Sequence, residues 1–389
     1  MSGKPVRRMN SALPAEPATE LADRIAQVDW HFTDAKTQGG VHSIHPYPAK
    51  FIPQLPRQLL SLLRPRSEAV IFDPFCGSGT TLVEAQSAGF PSVGVDLNPI
   101  ATLIARAKTK GGAPAVHPAA RSLSSEAKGA KVAVPDIPRI DHWFSKDVQR
   151  ALAAIVAAIA RVDDPAVQDD LRVVLSSIIV RVSFQDGDTR YAAVQKNVDG
   201  ALVFDLFERA ALELDRARES HFGLFRSQDA PARVLTGDIL TMSPDAIGPV
   251  DLVITSPPYP NAYEYWLYHK YRMYWLGLDP IAVRKAEIGA RPHFFKKNAH
   301  TAEDFQRQMA AVFRLLGEVL AVGGYACFVV GDSRIHGQIV DNVALLKRAA
   351  SAEGFRLEAV TERGVPSTRK AFNPANSRAT SEFITVFAR

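Results

Sequence analysis

Cysteine is scarce in this chain. Cys76 and Cys327 are the only two among 389 residues, too few for a disulfide framework or a four-cysteine zinc site. A reducing, cytoplasmic setting fits, and no metal is expected. Long apolar runs are missing as well, and nothing approaches the roughly 18 residues that a membrane helix needs. The most apolar stretch, 151–160, is alanine-rich and flanked by Arg150 and Arg161, as suits a buried helix, so no membrane partner is expected. Residues 1–20 lack the apolar core of a secretory signal and read as a disordered tail. A strong charge of one sign is also absent. The balance of 46 Lys+Arg against 41 Asp+Glu permits a polyanionic partner without demanding one. There is no internal repeat.

What is present is alternation. Strand patterns at 69–74, 92–97, 233–235, 251–255, 325–330, 355–361 and 383–387 are interleaved with helical patterns at 80–88, 100–108 and 340–350. That order predicts an α/β fold with a mostly parallel sheet covered on both faces. Between 111 and 230 the pattern changes. Residues 111–138 are rich in Pro, Ala, Ser and Gly and read as a linker. Apolar residues then recur at helical spacing: Leu152, Ile155, Val156 and Ile159, followed by Leu171, Val174, Leu175 and Ile178. A third helix is expected over 202–214. The division expected is therefore a catalytic α/β domain at 21–110 and 231–389, with a linker and helical insertion at 111–230.

The stretch VIFDPFCGSGTTLVEA sets Gly77 and Gly79 between a strand and a helix. Glycine there lets the backbone turn sharply and lets a ligand approach the main chain. The next strand pattern ends on Asp96, where a nucleotide-binding sheet places an acid for ribose hydroxyls. A phosphate loop is excluded, because no Gly-Lys-Ser/Thr follows and the third glycine of a dinucleotide site is missing. A nucleoside without pyrophosphate fits better, and S-adenosylmethionine is such a ligand.

A fourth strand pattern runs into Ser256-Pro257-Pro258-Tyr259. The prolines end the ladder in a rigid corner, and ligands of open parallel sheets bind beyond the strands' carboxyl ends. The corner therefore faces the nucleoside's reactive end. The chemistry that suits it is methyl transfer to an exocyclic amino group, whose nitrogen lone pair is delocalised into the base. The Ser256 hydroxyl and the Pro257 carbonyl can accept the amino hydrogens and favour a pyramidal nitrogen. Tyr259 offers a ring for the base to stack on. Methylation at a cytosine carbon would use a thiolate on a Pro-Cys turn, but Phe75 and Ala326 precede the two cysteines.

These motifs, DPFCGSGTT, GVDLNP and TSPPY together with HSIHPYPAKFIP at 42–53, resemble those of prokaryotic DNA methyltransferases acting on amino groups. The resemblance covers 40–110 and 232–389. It implies a Rossmann-like S-adenosylmethionine-dependent methyltransferase sheet, mostly parallel with an antiparallel closing strand. The Ser-Pro-Pro-Tyr form points to cytosine N4, with adenine N6 as the alternative. The implied cofactor residues are His45, Pro46, Tyr47, Lys50, Asp73, Phe75, Gly77, Gly79, Thr80, Asp96, Asn98 and Asp238. Among them, Asp96 would hold the ribose, Asp238 the adenine amino group and Lys50 the methionine carboxylate. Ser256, Pro257, Pro258 and Tyr259 are the implied catalytic residues. The implied partner is DNA, in a restriction-modification or defence setting that leaves open a cognate restriction endonuclease.

An enzyme acting on a base in a duplex extrudes it and needs cations for phosphates. Tyr263, Tyr265, Trp266, Tyr268, Tyr271, Tyr274 and Trp275 follow the corner, interleaved with basic residues. They read as an aromatic and basic wall beside the pocket, or in part as core. The DNA-contacting residues expected are Lys285, Arg291, Lys296 and Lys297 in one basic loop, Arg369 and Lys370 in another, and Arg190 in the insertion. Two other readings stay open: an RNA methyltransferase acting on a guanine amino group, and a catalytically silent DNA-binding regulator.

Overall fold

The computed structural model describes residues 20–33, 35, 39–50, 52–188, 190–224, 230–260, 264–294, 299–365 and 381–389. Its centre is a sheet of seven strands. These are β1 (Ile71–Asp73), β2 (Ser92–Asp96), β5 (Ala232–Thr236), β6 (Val250–Thr255), β7 (Leu320–Gly331), β10 (Arg356–Gly364) and β11 (Ser381–Ala388). Two short hairpins lie outside it, β3–β4 (Gln185–Gly187 and Arg190–Ala193) and β8–β9 (Ser333–Ile335 and Gln338–Val340). The order across the sheet is β10-β11-β7-β6-β1-β2-β5. Every pairing from β5 through to β7 is parallel, whereas β11 runs against both β7 and β10. This is the expected Rossmann-like sheet with a reversed strand near its closing edge.

Period-two alternation explains why the strands read as continuous apolar runs. Ile71, Leu252, Ile254, Cys327 and Val329 face one way, into a core completed by Trp30, Leu55 and Leu59. Phe72, Val253, Ala326 and Phe328 face the other way, against Phe305, Met309, Phe313 and Leu346. The first cover comes from α1 (Glu20–Ala26) and α2 (Gln54–Leu63). The second comes from α13 (Ala302–Val319) and α14 (Asn342–Ala352). Both faces are buried, so neither can be polar.

After β1 comes α3 (Thr80–Ser87), and after β2 comes α4 (Pro99–Thr109). Asn98 caps α4, its side chain accepting the Ile100 N–H at 3.0 Å. The stretch expected as a linker holds a helix, α5 (His117–Ala127), with Ala120, Leu123 and Ala127 buried. Its three apolar positions recur at helical spacing, but they are diluted by Ser and Ala, so composition conceals them. The insertion continues with α6 (Ile140–Trp143), α7 (Lys146–Ile159), α8 (Pro165–Val182) and α9 (Gly200–Leu224), the last running ten residues beyond the expected 202–214. These helices share one core with α4 and with α11 (Tyr265–Trp275): Ile104, Leu152, Leu171, Phe207 and Trp275 belong to a single cluster. Two short helices, α10 (Pro244–Ile247) and α12 (Pro280–Ala286), complete the set.

Candidate active site at the carboxyl rim of the sheet

Strands β1 and β6 are neighbours, and the chain leaves them in opposite directions across the sheet. Such a switch point opens a crevice at the carboxyl rim. The cleft found there has about 830 Å³ of empty space, counting its open mouth, within the range of small-molecule sites. It is bounded by Phe75, Gly77 and Ser78 after β1, Asp96 and Asn98 after β2, Asp238 and Ile239 after β5, and Ser256 and Pro258 after β6. Tyr47 and Lys50 close one side, and Tyr265 and Glu287 another. Segments far apart in sequence thus meet at one rim.

Each polar group has a stated job. Asp96 accepts the Gly77 N–H on one carboxylate oxygen and the Asn98 N–H on the other, both at 2.8 Å. Burial pushes its pKa up to about 6 against these two donors. Each oxygen retains a free lone pair, so the acid holds the glycine turn and can still accept ligand hydroxyls. Gly77 needs its positive φ of 49°, and a Cβ there would meet the Tyr47 ring at 3.3 Å. Asp238 uses one carboxylate oxygen to accept the Leu240 N–H at 3.0 Å. Phe75, Leu97, Ile239, Val283 and Ile288 supply apolar walls.

Several expected residues support the cleft without lining it. Asp73 is buried and accepts the Phe75 N–H at 3.1 Å and the Thr255 hydroxyl at 2.6 Å. It thereby ties the glycine turn to the strand end that carries Ser256, and burial raises its pKa to about 6. Gly79 has a φ of 79°, and its missing Cβ would stand 2.9 Å from that of Ala105, so it serves the close approach of α3 and α4. His45 is buried and turned toward the insertion. Its Nδ1–H donates to the Pro46 carbonyl at 2.7 Å, and its Nε2 accepts from the Ser176 hydroxyl at 2.9 Å. Burial holds this imidazole well below its ordinary pKa, in the neutral form that the two bonds require. Pro46 brings Tyr47 to the cleft, and Thr80 lines it.

At the proline corner, the Ser256 hydroxyl donates to the Val329 carbonyl at 3.0 Å. Its lone pairs are then turned away from that carbonyl and remain free to accept. The Tyr259 hydroxyl also donates to Val329, at 3.3 Å, and its ring packs against the core on the α13 side. Ser256 and Pro258 line the cleft, and Pro257 between them is buried.

The expected aromatic wall needs correction. Trp266, Tyr268, Tyr271 and Trp275 are buried, because α11 is packed against α4 and the insertion helices α7 and α8. Tyr265 lines the cleft and stacks on Tyr47 at 6.1 Å. Tyr274 is half-buried beneath Lys270. Of the expected DNA contacts, Lys285 is exposed on α12 and Arg291 is half-exposed just beyond it. Arg190 lies on the β3–β4 hairpin, paired with Asp186 at 2.9 Å. Tyr263, Lys296, Lys297, Arg369 and Lys370 lie outside the described residues.

Sequence reasoning missed Glu287. It is 6 % exposed and accepts the Tyr265 and Trp266 N–H groups at 3.0 and 2.8 Å. It thus caps α11 from a distance, and burial pushes its pKa to about 8. An acid in a basic stretch reads as a surface residue, and only its separation of 21 residues from Trp266, closed by folding, reveals the cap. Ser78, Lys108 and His269 were missed too.

Comparison with known proteins agrees with this geometry. Residues 15–106 match the family model described as DNA methylase. Over 154 residues the chain is 32% identical to the type II methyltransferase M.MvaI of Kocuria varians, covering 36% of this chain and 33% of that protein. Over 68 residues it is 48% identical to the type II methyltransferase M.MjaII of Methanocaldococcus jannaschii, covering 18% and 13%. The chain therefore spans about a third or less of the length of these relatives. Among solved structures, an rRNA methyltransferase, aviRa of Streptomyces viridochromogenes, aligns over 94% of both chains with a TM-score of 0.35 and 13% identity. The family model and the two type II relatives bear out the resemblance to amino-methyltransferases of the DNA type and imply S-adenosylmethionine as cofactor. The donor set fits that group: acceptors at Asp96 for ribose hydroxyls, a carboxylate at Asp238 for an amino group, apolar walls for an adenine, and no phosphate-binding turn. Among the described residues no cluster could hold a metal ion, and no helix is long and apolar enough to cross a membrane.

Proposed function

We propose that this chain is an S-adenosylmethionine-dependent DNA methyltransferase that extrudes a base and methylates its exocyclic amino group at cytosine N4. The observation that carries the reading is the common cleft: Ser256 and Pro258 line the same space as Gly77, Asp96 and Asp238. The family description, DNA methylase, supports the substrate class. The Ser-Pro-Pro-Tyr form of the corner supports cytosine over adenine. The relatives' description as type II methyltransferases supports a modification role on cytoplasmic DNA, with a cognate restriction endonuclease as candidate partner. The 111–230 insertion is the proposed target-recognition region.

The cofactor supplies an electrophilic methyl group on a sulfonium. The chain's residues do the rest. Asp96 and Asp238 bind and orient the adenosine at the β2 and β5 ends. Ser256 Oγ, its own hydrogen engaged by Val329, accepts one amino hydrogen of the base. The Pro257 carbonyl accepts the other, held still by two prolines. The nitrogen lone pair is thereby directed at the methyl carbon, and no covalent enzyme intermediate is needed. Arg190, Lys285 and Arg291 are the proposed phosphate contacts among the described residues.

Expression in a methylation-free host, followed by mass spectrometry of the digested DNA nucleosides, tests the reading. N4-methylcytosine that disappears with Ser256→Ala is the expected product. N6-methyladenine would move the assignment to the other amino base. Unmodified DNA beside methylated guanine in RNA would overturn the substrate class.

A further inference from the structure

A lysine with no exposed surface stands behind the glycine turn. Lys108 is 0 % exposed, and lysines are almost never fully buried unless paired. Its neighbours on α4 and just beyond find carboxylates: Arg106 is 3.6 Å from Asp169, and Lys110 is 3.1 Å from Asp170. Lys108 finds none among the described residues. Side chains on a helix lean toward its N-terminus, so Lys108 reaches back along α4 and donates to Ser78 Oγ at 3.1 Å.

Ser78 is itself 2 % exposed and borders the cleft. Its oxygen takes the lysine's hydrogen, which leaves its own hydroxyl hydrogen to donate. That hydrogen has no acceptor among the described residues. The charged and titratable groups facing Lys108 are Lys50, His42 and His45. Two of the three are buried imidazoles held below their ordinary pKa, and the third is a cation that also lines the cleft. This corner therefore presents to one end of the cleft the Lys50 amine, which also donates to the His42 carbonyl, and a free hydroxyl donor backed by Lys108, while the buried carboxylate of Glu84 is taken up by His42 and Arg57. An uncompensated buried cation is costly, and a ligand carboxylate would relieve it.

We infer that Lys108 is a positioning residue which, through the Ser78 hydroxyl, selects a ligand carrying a carboxylate at the Lys50 end of the cleft. The inference rests on reading the cleft as an S-adenosylmethionine site and deepens it: the carboxylate is that of the methionine tail. Asp96 and Asp238 sit toward the β2 and β5 side, so the tail of a nucleoside held there points toward β1, Ser78 and Lys50. Burial and the neighbouring Lys50 hold the Lys108 amine well below its ordinary pKa, and a carboxylate bound at this end of the cleft would favour its protonated form.

The test is titration calorimetry of the full chain with two probes. One is S-adenosylhomocysteine. The other is its decarboxylated analogue, which keeps the adenosine, the thioether and the amine. The wild type should prefer the carboxylate-bearing probe by about tenfold to a hundredfold, as expected for a hydrogen bond to a charged group. Lys108→Met should lose most of that preference, weakening S-adenosylhomocysteine while leaving the analogue unchanged. Ser78→Ala, a change of one atom, should do the same and guards against misfolding of the first variant. Equal weakening of both probes by both variants, or an undiminished preference, would overturn the inference while leaving the cofactor reading intact. A wild type that binds neither probe would overturn both.

Discussion

In the helical insertion, Arg218 is buried and fully matched. It meets both oxygens of Asp170, at 2.6 and 2.9 Å, and donates twice to the Ala107 carbonyl. Arg272 of α11, also buried, reaches Asp188 and the Ser176 carbonyl of the insertion and the Tyr268 carbonyl of its own helix. At the rim of the sheet, buried groups are held differently. Asp96 and Glu287 are met only by backbone N–H groups, and Lys108 only by a hydroxyl. The insertion closes its charges on one another, which makes them part of the scaffold. The rim leaves its charges short of counter-ions, which costs stability and keeps them available to a ligand. Charge that the fold does not neutralise marks where chemistry is expected.

The contrast can be broken most forcefully in the insertion. Asp170→Ala strands Arg218 and should cost about 3–5 kcal/mol of stability, read by chemical denaturation. Adding Arg218→Met should recover much of that loss. Cofactor affinity should be unchanged by the pair; a parallel loss would mean that the insertion's charges also serve the site. At the rim, Ser256→Ala should lower single-turnover methylation by about 10²–10³-fold, as for removal of one preorganised polar group. It should leave S-adenosylhomocysteine affinity nearly intact, and a matching loss of affinity would move Ser256 from catalysis to binding.

Acidity sharpens the comparison further. An unfolded Glu titrates near ~4, but folding pushes Glu287 to about 8. Between those values the folded protein keeps a proton that the unfolded chain releases, so stability falls as pH rises through this window and levels off above it. Asp73 and Asp96, raised to about 6, add to the fall only below that value. Glu287→Gln should lower the melting temperature overall, because its amide faces one of two backbone donors. It should also flatten the melting profile between the two acids' range and that of Glu287. A profile as steep as the wild type's would assign the slope to another group. The smallest effect is expected on the surface. Arg190→Ala and Lys285→Ala should each reduce the log–log salt slope of DNA affinity by about one; an unchanged slope would put the phosphate track elsewhere.

Local chemistry made the sheet and both corners legible without coordinates. Period-two apolar runs, glycines at a turn and prolines at a strand end act over a few residues, so their geometry is written where they stand. The helix at 117–127 escaped notice because its apolar positions are thin and its stability comes from partners far along the chain. The same is true of the buried aromatics of α11, which could be core or surface until α11 was packed against α4 and the insertion helices. Only tertiary structure decided that His45 turns toward Ser176, that Glu287 caps a helix 21 residues away from it in sequence, and that Lys108 lies beneath the glycine turn. Burial and the pairing of distant charges depend on which segments fold against each other, and no short stretch of sequence contains that information.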